Sequence, residues 1–144
     1  SDLLTRRLLD LRIRSSLPYT YEAFCQYLAT LRISLNIAYT GTESTTHVKG
    51  RVLESGLAGA CLLETRGSPT SLWFRPGLDY LEYESPQEAA DIIKRLAEHP
   101  AATQAIGDSL RARVLAEHSP AQFWQRIFDR IGMKEQAMMA GAWR

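Results

Sequence analysis

The stretch Thr45-Thr46-His47-Val48-Lys49-Gly50-Arg51-Val52-Leu53-Glu54-Ser55-Gly56-Leu57-Ala58-Gly59-Ala60-Cys61-Leu62-Leu63-Glu64 decides how the chain is read. Its pattern predicts a helix capped at Thr46, stopping at Gly59 and passing directly into a buried strand, Ala60 to Leu63. The first turn of that helix carries charge of the wrong sign. His47, Lys49 and, just beyond the turn, Arg51 stand where the helix dipole is already positive, and each such cation costs about 0.3–1 kcal/mol. Gly50 adds about 1 kcal/mol inside a helix.

Elsewhere the chain starts its helices well. Ser85-Pro86-Gln87-Glu88 and Ser119-Pro120-Ala121-Gln122 are capping boxes with proline at the first helical position. Local rules broken together in one place point to a ligand. An anion on the free N–H groups of the helix would restore the electrostatics, and glycine would let it approach. The alternative is that Lys49 and Arg51 point into solvent and Arg51 pairs with Glu54 at i,i+3. Physical chemistry alone leaves both readings open.

Upstream, Ile33 to Ala38 is short and rich in branched residues and predicts a strand, followed by a polar loop from Thr40 to Thr45. Thr20 can cap a helix reaching Leu31, with Phe24, Tyr27, Leu28 and Leu31 on one face. Residues 3–14 place Leu4, Leu8 and Leu11 at helical spacing among Arg6, Arg7, Arg12 and Arg14, an amphipathic pattern that fits a solvated helix or peripheral contact with a membrane. Downstream, Glu64 to Pro69 reads as a second loop at a strand end, Thr70 to Phe74 as a helical turn, and Arg75-Pro76-Gly77 as a reversal. Leu78 to Tyr83 predicts a third strand with Asp79, Glu82 and Glu84 solvated. Three helices follow: one from Ser85 with Ala89, Ile92, Ile93, Leu96 and Ala97 inward and a break at His99-Pro100; one to Glu117; and one from Pro120 to Ile131. In the last, Phe123, Trp124, Ile127 and Phe128 read as core. Helix, strand, loop and helix in that order are the grammar of an α/β unit with parallel strands, whose ligands bind at the strands' carboxyl ends.

The 144 residues suffice for one domain, read as 1–132, with a tail at 133–144 that carries Met138, Met139 and Trp143. Lys plus Arg number 17 against 16 Asp plus Glu, a net charge of +1 that excludes a nucleic-acid binder driven by bulk charge. There is no apolar run of about eighteen residues and no signal peptide, so a cytoplasmic setting is expected. Cys25 and Cys61 both read as buried free thiols. His47, His99 and His118 are too scattered to form a metal set with them.

At Lys49-Gly50-Arg51-Val52-Leu53-Glu54 the chain resembles a known family. With Val48 to Leu63, Phe74-Arg75-Pro76-Gly77, Ser85-Pro86 and its helix, and Arg113 through Glu117-His118-Ser119, it is similar to the C-terminal part of a GT-B-fold glycosyltransferase. The likeness is greatest to the group that includes spore-maturation-type glycosyltransferases. It spans roughly residues 33–130 and rests on the order and spacing of these pieces together. The resemblance implies a partial Rossmann-like domain, with a short parallel sheet of about three strands, flanking helices and a helical C-terminal third. It implies that Glu54 accepts hydrogen bonds from the ribose of a nucleotide-sugar donor, and that the loop at Gly41 and the helix N-terminus receive the diphosphate. Arg51 and Lys49 would neutralise phosphate charge, and His47 could touch sugar or phosphate. No metal or cofactor is expected beyond the nucleotide diphosphate sugar, which is a substrate. The sequence departs from the wider pattern at Thr46, eight positions before Glu54, where many such transferases carry another glutamate, and Glu43 is out of register. A segment bearing the acceptor site and any catalytic base has no counterpart here. The chain therefore reads as a fragment, inactive alone, whose partners are the donor, an acceptor and the missing N-terminal domain of the same enzyme. A truncated sheet also exposes an edge and favours self-association. The competing reading is a non-catalytic α/β interaction domain.

Overall fold

The computed structural model describes residues 20–40 and 42–141. The basic amphipathic segment at 3–14, the first residues of the chain and Gly41 lie outside them.

Helix α1, Tyr21–Leu28, is capped by Thr20, whose Oγ1 accepts from the Ala23 N–H at 3.1 Å. It ends earlier than the apolar pattern to Leu31 suggests, and only Leu28 on it is buried. Strand β1, Ile33–Leu35, follows. Next come β2, Tyr39–Thr40, and β3, Thr42–Thr46, paired antiparallel with Tyr39 opposite Thr46 and an irregularity between Tyr39 and Thr40. The expected polar loop is thus a small hairpin. The run Thr42 to Thr46 is rich in β-branched threonine, which suits a ladder. Once Thr46 pairs with Tyr39 it cannot also open a helix.

The helix accordingly begins later than expected. Helix α2 is Gly50–Ala58 with Lys49 as its N-cap, and it stops at Gly59, whose φ of 74° only glycine adopts cheaply. Strand β4, Cys61–Thr65, is buried at every position and reaches past Leu63, so Glu64 belongs to the strand and not to a loop. A 3-10 turn, Pro69–Leu72, capped by Ser68, stands where a helical turn was expected. Strand β5 is Leu81–Tyr83, shorter than the predicted strand. Helices α3, Pro86–Glu98, and α4, Pro100–Glu117, meet at His99, where the Thr103 hydroxyl donates to Leu96 O at 2.7 Å. Helix α5, Pro120–Arg130, and α6, Lys134–Gly141, close the chain.

The fold is α/β. Strands β1, β4 and β5 form a parallel sheet with β4 in the middle, in the registers Ile33 to Cys61, Leu35 to Leu63 and Leu63 to Leu81. Alternation along β4 serves two cores. Leu62 packs with Val52 of α2, Phe74, Tyr80, and Leu110 and Val114 of α4. Cys61 and Leu63 pack on the other side with Tyr83 and with Ala89, Ile92 and Leu96 of α3. Helices cover both faces of the central strand, as a parallel sheet requires. Glycines let α4 sit this close: an added Cβ would stand 2.7 Å from Val114 Cγ2 at Gly56, and 2.2 Å from Gly59 O at Gly107.

Three further expectations change. Cys25 is exposed, because it lies on the open side of α1, whereas Cys61 is buried as read. Asp79 is fully buried, not solvated, because Arg75 and Ser109 bind it. The aromatic stripe of α5 is not core: Phe123 and Trp124 remain 56% and 49% exposed, since α5 packs chiefly on α6 and not on the sheet.

Candidate functional site

The carboxyl ends of the three strands bring Asn36, Glu64, Thr65 and Tyr83 together. Asn36 Nδ2 donates to Glu64 Oε2 at 2.7 Å, Thr70 Oγ1 donates to the same oxygen at 3.3 Å, and the Thr65 N–H donates to Oε1 at 2.8 Å. Tyr83 donates its hydroxyl proton to Asn36 O at 2.7 Å. A buried carboxylate is tolerable only with its lone pairs met, and three donors meet these. The cluster locks the strand ends together and gives the edge above it a rigid floor. The sequence reading missed Glu64; its only signal was an acidic residue directly continuing an apolar strand.

The N-terminus of α2 stands on this edge, because the chain leaves β1 at its carboxyl end and returns through α2. No side chain caps α2, and no acid occupies its first turn. Arg51 lies inside the first turn with Gly50 ahead of it, so part of the expected electrostatic anomaly persists even though the helix starts later. Lys49 Nζ donates to Tyr39 O at 3.0 Å, tying the hairpin to the helix start. His47 is exposed and precedes the helix, its N–H donating to Ala38 O at 3.4 Å.

Arg51 and Glu54 lie on the flank of α2 that faces α1. The Arg51 guanidinium sits 4.7 Å from the centre of the Phe24 ring and its Nε lies 3.7 Å from Glu54 Oε2. The surface pair that the spacing allowed is therefore formed, at a separation and exposure where it contributes at most about 1 kcal/mol. The Glu54 side chain also runs back along the helix, as helical side chains do, so that Oε1 lies 3.7 Å from where a Cβ of Gly50 would be. The structure gathers His47, Lys49, Arg51 and Glu54 around one helix start; Gly41 lies outside the described residues.

On the other flank of α2 is a cavity of about 480 Å³, lined by Leu53, Trp73, Arg113, His118, Phe123 and Arg126 among others. His118, the C-cap of α4, stacks on Trp73 with ring centres 5.1 Å apart and planes 13° apart, and touches Phe74 at 5.0 Å. Burial, with Arg126 and Arg113 nearby, pushes its proton affinity below the ordinary imidazole value, only partly offset by Glu117. Its Nε2 is the one buried side-chain polar atom without a partner among the described residues. Below the cavity, Asp79 accepts from Arg75 N–H, Nε and Nη2 at 2.8, 3.0 and 2.9 Å and from Ser109 Oγ at 2.7 Å. Burial alone would push this carboxyl up; the Arg75 bonds and the Ser109 hydroxyl bring it down to about 2. Trp73, Phe123 and Arg126 had no place in the sequence reading of a site, because only the fold brings the 3-10 turn to the end of α4.

Among the described residues, no helix is long and apolar enough to cross a membrane. No curated protein and no solved structure matches the chain. The profile of one family, described as glycosyl transferase-like, matches residues 6–129. That match takes in α1 through nearly all of α5, with the sheet edge, the start of α2 and the His118 cavity inside it, and the chain accordingly belongs to the glycosyl transferase-like family.

Proposed function

We propose that this chain is the donor-binding portion of a GT-B glycosyltransferase, of the kind typified by spore-maturation enzymes, and that the start of α2 holds a nucleotide diphosphate sugar. One observation carries the reading: a helix N-terminus on the ligand edge of a parallel sheet has no side-chain cap, no acid in its first turn, and a carboxylate folded back beside a glycine. The diphosphate sits on the free N–H groups of that turn. Arg51 and Lys49 offset its charge, and His47, just ahead of the helix, borders it. Glu54 accepts hydrogen bonds from the ribose hydroxyls, which requires Arg51 to release its 3.7 Å contact and turn toward phosphate.

Sugar transfer needs a stabilised leaving diphosphate and an acceptor hydroxyl that is oriented and deprotonated. These residues supply the first requirement, and the acceptor and base are assigned to a partner domain of the same enzyme, so the isolated chain holds donor without transferring sugar. The test is an amide-shift titration with UDP, GDP, ADP and dTDP, repeated on Glu54→Ala. Saturable shifts at residues 46–54 for one nucleotide, weakened by the substitution, support the reading. Shifts that ignore the loss of Glu54 remove the ribose role, and no shift with any nucleotide removes donor binding by this chain. The exposed Phe123 and Trp124 favour the competing reading, a protein-interaction domain, in that last case.

A further inference from the structure

The His118 cavity lies on the opposite flank of α2 from Arg51 and Glu54, and the donor reading makes no use of it. Three of its properties belong together. Its volume of about 480 Å³ falls within the roughly 300–1,000 Å³ of small-molecule sites. The ring of His118 borders it, stacked on Trp73, while its Nε2 is buried and has no partner among the described residues. Its charge leans positive: Arg113 and Arg126 line it with Glu117, and the buried Asp79, 3.9 Å from Arg113 Nε, is already bound by Arg75, so three arginines face two carboxylates.

The arginines are only partly engaged. Arg113 donates through Nε to Trp73 O at 3.1 Å and places Nη2 3.4 Å from Glu117. Arg126 uses Nη2, which donates to Glu117 O at 2.6 Å and lies 3.4 Å from Gln122 Oε1, and its other nitrogens have no partner among the described residues. Each guanidinium offers five donors, so both retain donors while their position is fixed by the bonds they already make.

We propose that this cavity binds a small organic anion, a carboxylate or phosphate on an apolar body, with the head group between His118, Arg113 and Arg126 and the body against Leu53, Trp73 and Phe123. Such a head group accepts hydrogen bonds from the unengaged N–H groups of Arg113 and Arg126 and balances the surplus positive charge beside the His118 ring. The apolar body covers aromatic surface that is otherwise half exposed. The site is separate from the donor site and stands whether or not that reading holds.

The test follows the His118 ring by 1H–13C NMR across pH 5–8, alone and with inorganic phosphate, benzoate or phenyl phosphate. An anion beside the ring stabilises its protonated form, so the midpoint of His118 should move up by about one pH unit at saturation. Phenyl phosphate should saturate at about tenfold lower concentration than inorganic phosphate, because its ring is buried as well. Arg126→Gln should abolish the movement and Arg126→Lys restore part of it. Lys49→Gln should leave it intact while weakening any nucleotide response at α2, which separates failure of this site from failure of the donor reading. A midpoint that ignores all three anions, or a movement that survives Arg126→Gln, overturns the proposal. Equal saturation by inorganic and phenyl phosphate overturns the apolar body.

Discussion

Substituting Gly107 by alanine adds one methyl group where α4 crosses the turn between α2 and β4. Its carbon would lie 2.2 Å from Gly59 O, 2.9 Å from Gly59 C and 3.1 Å from Ala60 C, all of them backbone atoms. No side chain can swing aside, so α4 must move off the turn by about 1 Å, which forfeits a quarter to a half of the dispersion energy at each affected contact. Leu110 and Val114 ride on the same helix and would part from Val52 and Leu62. Overpacking of this kind costs about 4 kcal/mol, at or beyond the usual upper range. The better helix propensity of alanine returns about 1 kcal/mol, leaving a net loss of about 3 kcal/mol. In a domain of this size that lowers the melting temperature by about 6–12 °C. Urea unfolding followed by circular dichroism measures it, with Gly50→Ala as the control, since a Cβ there meets only Glu54 Oε1 at an ordinary 3.7 Å. A Gly107→Ala protein within about 1 kcal/mol of the parent, at unchanged m-value, would refute the seating of α4 on the Gly59 turn.

Asp79 titrates in the folded protein at about 2 against 3.8 unfolded, so it contributes about 2 kcal/mol that is present above pH 4 and lost as pH falls toward 2; urea midpoints across that window should lose this component in Asp79→Asn. For His118 the folded proton affinity is depressed by burial and by the two arginines, so its contribution is present above the ordinary value near 6.5 and lost as pH falls through and below it. The stability profile between pH 7.5 and 5 should accordingly flatten in His118→Gln. Cys61 is buried and its thiol is pushed up to about 11, whereas Cys25 is exposed, so a thiol reagent at pH 8 should label one cysteine in the native protein and both in denaturant. Labelling of both at equal rates would contradict the packing of β4 against α3.

The elements that could be read in advance are those with local causes. Ser85 and Ser119 accept from the N–H groups of Glu88 and Gln122, and Gly59 ends α2 with positive φ, all within four residues of the signal. The burial of Ala60 to Leu63 followed from the apolar run itself. What escaped depends on distant partners. Thr46 looks like a cap until Tyr39 pairs with it, and Glu64 looks like a loop residue until Asn36 and Thr70 donate to it. Asp79 looks solvated until Ser109 and Arg113 arrive from α4. The stripe Phe123, Trp124, Ile127 and Phe128 has core periodicity, but periodicity says which residues share a face and not what covers it. His47, Lys49 and Arg51 stood out because positive charge at a helix start breaks a local rule, whereas Glu54 was singled out by the family resemblance alone. The His118 cavity was not, because four separate elements build it.

The central place of β4 bears on how the chain folds as it is synthesised. Ile33 of β1 waits for Cys61, 28 positions later, and Leu63 waits 18 more for Leu81. A nascent chain that has emerged only as far as Ala58 can therefore hold the β2–β3 hairpin and α2 and none of the sheet. Closing loops of that length before any pairing stabilises them makes the sheet a slow, late event. In that interval the apolar residues of β1 and the inner face of α2 stand open to other chains, which makes the segment before Gly59 the one most in need of protection during synthesis.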